Sequence, residues 1–182
     1  NGEADAAGIE AAAAAIAAIA VYLNSLANGF ALDDNYIILT NFRVVQPQTL
    51  GDIWLAPYWN IAGSVLGLYR PGIISLYALE WMVSGGAPVF FHAVNILLHA
   101  AATVLVFLLI QRFTAAVPAF IGALVFAVHP IHTEAVANVV GQAEIVAALG
   151  VLGACLVHTG RPEGIAVSWG RRIATVLLFA LA

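Results

Sequence analysis

The stretch PVFFHAVNILLHAAATVLVFLLIQ, from Pro88 to Gln111, contains no Asp, Glu, Lys or Arg. A helix rises 1.5 Å per residue and a bilayer's hydrocarbon core is about 30 Å thick, so about 20 mainly apolar residues cross it. A run of this length and purity predicts a membrane span. Further apolar runs cover about 11–30, 114–128 (a short one), 133–157 and 173–182. The composition agrees: 9% of the 182 residues are charged and the mean hydropathy is +0.97, whereas soluble domains carry about 25% charged residues. The expected fold class is an all-α integral membrane protein, a multi-span helical bundle with a large structured first outer loop, about 31–86, containing short membrane-surface helices.

The ends and the charges refine that expectation. Glu3, Asp5 and Glu10 precede the first run, with no basic residue and no clear cleavage site, so the run reads as a retained span rather than a signal peptide. Its alanine-rich first half predicts close helix packing. The run from Ile173 stops partway through a span, so the chain is expected to be the N-terminal part of a longer membrane domain. Cys155 has no second cysteine to pair with and is expected to be a buried thiol. A net charge of -4 offers no basic patch, which argues against nucleic acid as a partner. Cytoplasmic loops are enriched in Lys and Arg. A cytoplasmic N-terminus puts Arg112, Arg161, Arg171 and Arg172 inside and Arg43 and Arg70 outside. That orientation also puts the 31–86 loop and the HPIHTE segment on the extracytoplasmic face.

The long loop is rich in Trp, Tyr and Leu, in TLGDIWLAPYWN and YRPGIISLYALEWMV. Pro71 suits the first position of a helix, and SGGAP suits its end. About 13 residues cannot span, and the aromatic content fits a helix lying in the headgroup layer.

Ionisable groups within spans are functional candidates because burying them in lipid is costly. His92, Asn95 and His99 fall within about 60° on a helical wheel. They read as an interhelical hydrogen-bond seam, with His92, nearest the outer end, the member best placed to face a site. On a continuous helix from Thr133, Glu134, Asn138 and Gln142 form one polar stripe drifting about 80°, with Glu144 about 160° away from Gln142. His129, His132 and Glu134 are acceptable metal ligands, but their spacing matches no zinc motif. No cofactor is required, and a divalent metal is the less favoured option.

The remaining feature is ALDDNYIILTNF, which places Asp33 and Asp34 at the membrane edge. Desolvation there raises carboxylate pKa values and makes a proton acceptor easier to obtain at neutral pH, and neighbouring acids titrate as a coupled pair. In extended backbone, successive side chains point oppositely. One acid is then free to face a substrate while the other holds the loop.

Taken in order, LDDNYIILTNFRV, YRPGIISLYALEW, FHAVNILLHAAATVLVF and HPIHTEAVANVVGQAEIVAAL resemble the N-terminal membrane domain of the transmembrane and tetratricopeptide-repeat (TPR) O-mannosyltransferases and their bacterial homologues. These are membrane glycosyltransferases of the GT-C fold. The resemblance implies transfer of a sugar, typically mannose, from a polyprenyl- or dolichyl-phosphate donor to a protein Ser/Thr hydroxyl outside the cytoplasm, with later spans and TPR repeats beyond this region. It puts the family's acidic pair on Asp33 and Asp34, as candidate general bases. Its YRP arginine falls on Arg70, and its HPxHTE motif on His129, Pro130, His132, Thr133 and Glu134. Arg70, His129, His132, Glu134 and Gln142 are then candidates for the donor's phosphate and sugar; Glu134 is equally a partner for a histidine. Gln142 stands where the family often has arginine (GRAD), which removes a cation. The alternative is a non-catalytic multi-span protein, either a flippase for lipid-linked sugars or a scaffold for TPR repeats. A translocation path keeps its polar groups near mid-membrane, whereas here they gather at one face.

Overall fold

The structure is a computed structural model that describes residues 2–47, 50–59, 68–160 and 168–181. Arg161 and residues 48–49 and 60–67 of the long loop lie outside them. Among the described residues every regular element is helical and there is no strand. The helices are α1 (Gly2–Tyr22), α2 (Phe42–Val45), α3 (Leu50–Trp54), α4 (Pro71–Ser84), α5 (Pro88–Gln111), α6 (Ala116–Val128), α7 (Thr133–Ala137), α8 (Gln142–Thr159) and α9 (Trp169–Leu181). Among the described residues three helical segments are long and apolar enough to cross a membrane: Asp5–Ala27, Pro88–Gln111 and Val139–Thr159. The protein is an all-α membrane bundle.

The run expected at 11–30 begins and ends earlier than its hydropathy implied. Alanine is the best helix former, so α1 starts at Gly2. It ends in a 3₁₀ turn, Leu23–Ala27, and Asn28 is extended. The alanines do what the pattern predicted. Ala14 packs with Phe107, Ala119 and Ala123, and Ala18 with Ala100 and Ala127. Small side chains let α1, α5 and α6 approach closely, where dispersion and not water expulsion holds helices together. The central helix α5 also packs against α8.

The short run at 114–128 is a helix of only 13 residues. Pro130 follows it, and the segment Pro130–Ala137 continues at a bend of 44°, since proline cannot extend the hydrogen-bond ladder it joins. The expected continuous helix over 133–157 is broken. Asn138 is extended (φ -103°, ψ 131°) between α7 and a 3₁₀ turn, Val139–Gly141. In lipid the polar groups freed by a break must find partners within the protein. Asn95 Nδ2 lies 2.9 Å from the Asn138 carbonyl oxygen, 3.4 Å from that of Val136 and 3.3 Å from that of Val139. Of the seam expected along α5, Asn95 thus caps this break, whereas His92 is buried and neither of its ring nitrogens has a hydrogen-bond partner among the described residues. His99 Nε2 lies 3.1 Å from the Ala127 carbonyl.

Cys155, expected to be buried, is exposed. It falls off the face of α8 that carries buried Gly150 and Ala154, because one residue along a helix turns about 100°.

The long loop has its own core. Ile37, Ile38, Val44, Ile53, Tyr58, Ile74 and Tyr77 pack with Phe91 of α5 and Val139. Arg43, one of the two outer-loop cations of the sequence reading, is buried here. Its Nε donates to Asn41 Oδ1 at 3.2 Å and its Nη1 to the Pro57 carbonyl at 2.7 Å, pinning two parts of the loop together. Helix α4 begins at Pro71, as expected, and stops at Gly85. That residue takes the left-handed conformation (φ 64°) and donates its N–H to the Trp81 carbonyl, the usual glycine solution for ending a helix.

Candidate functional site

The two adjacent aspartates have different environments. Leu32 adopts φ 47°, unusual for a side chain of its size, and turns the chain sharply after the first span. Across that turn the Ala31 N–H donates to Asp34 Oδ2 at 2.8 Å, and the Asp34 N–H donates to the Ala31 carbonyl at 2.9 Å. The other carboxylate oxygen, Oδ1, accepts the Val140 N–H at 3.0 Å. Asp34 is 1% exposed. It ties the end of the first span to the entry of α8, with both carboxylate oxygens taken by backbone N–H groups. Burial lifts its carboxyl above the usual range. The bonds from Ala31 and Val140 and the nearby His92 work against that rise, while Asp33 adds to it.

Asp33 is exposed. The two acids therefore differ in exposure and in hydrogen bonding, by a geometry other than the expected extended backbone. Asp34 has helical φ and ψ (-56°, -32°), so the two side chains diverge by roughly the 100° step of a helix and not by the alternation of an extended strand.

Asp33 lines a hollow of about 170 Å³ with Arg70, Tyr58, Glu134, Asn138 and Glu144. Each side chain arrives from a different element. Arg70 sits at the N-cap of α4, its guanidinium 5.6 Å from the centre of the Tyr58 ring. Glu134 comes from α7, Asn138 from the break and Glu144 from the first turn of α8. A larger hollow of about 630 Å³ adjoins it, sharing Glu134 and Asn138 and lined by the 27–32 turn and Asp34. One cation and three carboxylates thus surround the smaller space, a setting that can accept a proton on one side and bind an anion on the other.

Three of the other candidates lie elsewhere. Gln142 is fully buried, and its Nε2 donates to Glu80 Oε1 at 2.7 Å. The break at Asn138 resets the helical phase, so the wheel that aligned it with Glu134 does not apply. His129 caps the 3₁₀ turn of Pro130–His132, its Nδ1 accepting the Ile131 N–H at 3.2 Å. The His132 ring lies 4.4 Å from Phe126 and 5.4 Å from His99, beside a separate hollow of about 290 Å³ that Glu144 also lines. Among the described residues no cluster of His, Cys, Asp and Glu can hold a metal ion.

Two residues that the sequence reading did not select matter here. Glu144 opens into the hollow because of the same phase reset. Glu80, the only acid of α4, is buried beneath the site, and burial pushes its carboxyl up to about 7 against a lowering bond from Gln142. A lone carboxylate in so apolar a helix was the signal available for it.

No family model and no solved structure matches this chain. Curated proteins do. It is 34% identical over 168 residues to protein O-mannosyl-transferase Tmtc1 of Drosophila melanogaster, an alignment covering 88% of this chain and 19% of that protein. It is 42% identical over 137 residues to Tmtc2 of the same organism, covering 71% of this chain and 14% of that protein. With human protein O-mannosyl-transferase TMTC3 it is 34% identical over 168 residues, covering 90% of this chain and 18% of that protein. The chain spans less than a fifth of the length of these relatives. It belongs to the family they share, the TMTC protein O-mannosyl-transferases.

Proposed function

We propose that the full-length protein transfers a sugar, as the names of its relatives indicate mannose, from a lipid-phosphate donor to a protein Ser/Thr hydroxyl, and that Asp33 is the general base. The observation that carries this reading is the division of the acid pair: Asp34 spends both carboxylate oxygens on backbone N–H groups, while Asp33 shares a hollow with Arg70.

In this reading Asp33 takes the hydroxyl proton as the acceptor oxygen bonds to the anomeric carbon. The bond from that carbon to the phosphate oxygen breaks on the opposite face, and the phosphate leaves with the electron pair, inverting the centre. General-base help of this kind is worth about 10²–10⁴-fold. Arg70 meets the phosphate as charge develops on it, an electrostatic task suited to a guanidinium. Glu134 and Asn138 hold sugar hydroxyls. A hollow of 170 Å³ is smaller than most ligand sites; it houses the reacting groups, and the adjoining 630 Å³ space takes a larger part of a substrate. The site opens on the extracytoplasmic face, given the arginine bias that puts the N-terminus inside, and the donor is a polyprenyl or dolichyl phosphate whose tail stays in the bilayer. The bundle is then the opening part of a GT-C domain.

The test is transfer of radiolabelled mannose from a polyprenyl-phosphate donor to an acceptor peptide by full-length protein. Asp33→Asn should lower the rate at least about 100-fold with donor binding retained, and Arg70→Ala should weaken donor crosslinking. Full transfer by Asp33→Asn removes the base assignment. Donor crosslinking without any transfer by the parent protein favours a carrier instead.

A further inference from the structure

Beneath the site, α4 and α8 meet through one polar pair. Glu80 is 3% exposed and Gln142 is 0% exposed. Gln142 Nε2 donates to Glu80 Oε1 at 2.7 Å, and that bond uses half of each group. The other halves, Glu80 Oε2 and Gln142 Oε1, are buried and have no partner among the described residues. With Glu80 ionised, both orphans are acceptors, and neither can satisfy the other. Buried acceptors left this way are costly. One proton on Oε2 changes the inventory: the carboxylic acid gains a donor, and Gln142 Oε1 is the acceptor left unused across the same contact.

We propose that Glu80 is carried as the neutral carboxylic acid, closing a ring of two reciprocal hydrogen bonds with Gln142, and that this ring is a positioning element for the site.

The surroundings agree. The titratable groups on elements packed against α4 are Arg43 of α2, Asp52 of α3, His92 and His99 of α5, and Glu144, Cys155 and His158 of α8, with Tyr77 on α4 itself. Arg43 is committed to Asn41 and Pro57. Among the described residues no cation acts on Glu80, whose carboxyl is governed by burial and by Gln142. A buried carboxyl without a cation neutralises by keeping its proton.

The pair's place in the fold gives it a task. Tyr77, one turn before Glu80, donates its hydroxyl to the Val140 carbonyl at 3.1 Å, and the Val140 N–H donates to Asp34. The segment 140–142 is therefore held by α4 on one side and by the acid pair's turn on the other. Arg70 heads α4 and Asp33 sits in that turn, so the Glu80–Gln142 ring fixes the spacing between the proposed phosphate-binding cation and the proposed base. Ionising Glu80 opens one of its two bonds.

The experiment uses full-length protein in nanodiscs and two readouts. Only the second rests on the proposed sugar transfer. Infrared spectra at pH 6 and 8.5 should show a protonated-carboxyl C=O band at pH 6 that fades by 8.5, is missing from Glu80→Gln, and moves in Gln142→Leu, where the partner is gone. Glu80→Gln keeps one donor and one acceptor without a titrating proton, so it should transfer sugar at the parent's pH 6 rate. Above the titration point the neutral acid declines about tenfold per pH unit. Parent activity should therefore fall from pH 7 to 8.5, while the Glu80→Gln profile stays flat within about twofold over that range. Absence of the band at pH 6, or an unchanged pH profile in Glu80→Gln, overturns the proposal. If Glu80→Gln does not fold, the band in the parent and its move in Gln142→Leu decide. A band that behaves as expected in a protein that transfers no sugar leaves the ring standing and removes the enzymatic reading.

Discussion

Asp34→Asn separates a structural acid from a chemical one, and its cost can be worked from the geometry. The carboxylate of Asp34 accepts two backbone N–H groups, one on each oxygen, at 2.8 and 3.0 Å. Asparagine has a single oxygen, so one N–H, from Ala31 or Val140, is left facing an NH₂ group. A buried donor without a partner costs about 1–3 kcal/mol. Against this, the neutral amide escapes the burial that raises the Asp34 carboxyl. Since that carboxyl is raised despite both bonds, its charge contributes no net stability at this position. The orphaned N–H therefore decides the sign, and Asp34→Asn should destabilise by about 1–3 kcal/mol. Tryptophan fluorescence during thermal unfolding of the full-length protein should report a melting point lower by several degrees. Asp33→Asn, on an exposed side chain, should leave stability within about 0.5 kcal/mol while removing most of the transfer. If Asp34→Asn melts with the parent, or if Asp33→Asn is the variant that unfolds, the division of labour between the two acids is wrong.

Gly141→Ala should be among the most damaging single changes, because the added Cβ would meet the Ala135 Cα at 2.6 Å and its carbonyl carbon at 2.7 Å. Backbone cannot yield there, so a loss of about 3 kcal/mol should appear as poor yield and rapid proteolysis near the break. Asn95→Leu removes the donor that serves the carbonyls of Val136, Asn138 and Val139 and should cost on the order of 2 kcal/mol in thermal unfolding. The pH dependence of stability follows from Glu80, whose carboxyl lies at about 7 when folded against an ordinary 4.5. Between those values the folded state keeps a proton that the unfolded state has lost. Stability should therefore fall as pH rises through that window, by on the order of 3 kcal/mol, and level off above it; melting points of the parent should drop from pH 5 to 7 while those of Glu80→Gln stay flat.

Elements whose signals are local were legible in the sequence. Helix α4 is bounded by Pro71 and Gly85, each acting through its own backbone, and the α5 span is set by composition alone. The break at Asn138 was not legible, because nothing in HTEAVANVVGQAE forbids a helix. The segment breaks where tertiary partners reward it, with Asn95 arriving from α5, Tyr77 from α4 and Asp34 from the first turn. Everything inferred from helical phase across that point was lost with it. Gln142 left the site, and Glu144, assigned to the far side, entered it. The acid pair was readable as a division of labour because two adjacent carboxylates in a charge-poor chain invite one. Which acid is the buried, hydrogen-bonded one depended on Val140, 106 residues away.

The break also accounts for why an acid is used to hold the loop. An uninterrupted helix would satisfy the Val140 N–H within its own ladder, with the carbonyl of residue 136. Once Asn138 is extended, that N–H sits at the start of a new helical stretch, where the first donors have no internal partner and the peptide dipoles favour a negative charge. Asp34 supplies the acceptor and the charge together, and it does so while folding its own turn through Ala31. The carbonyls released on the other side go to a donor-rich amide, Asn95, and the Val140 carbonyl to the Tyr77 hydroxyl. The polar cost of interrupting a helix in a membrane is thus met by residues from three other elements. Those same residues fix where Asp33, Arg70 and Glu134 stand. Repairing the break with a better helix former at Asn138 would remove the reason for Asp34 to be there, and with it the geometry that leaves Asp33 exposed.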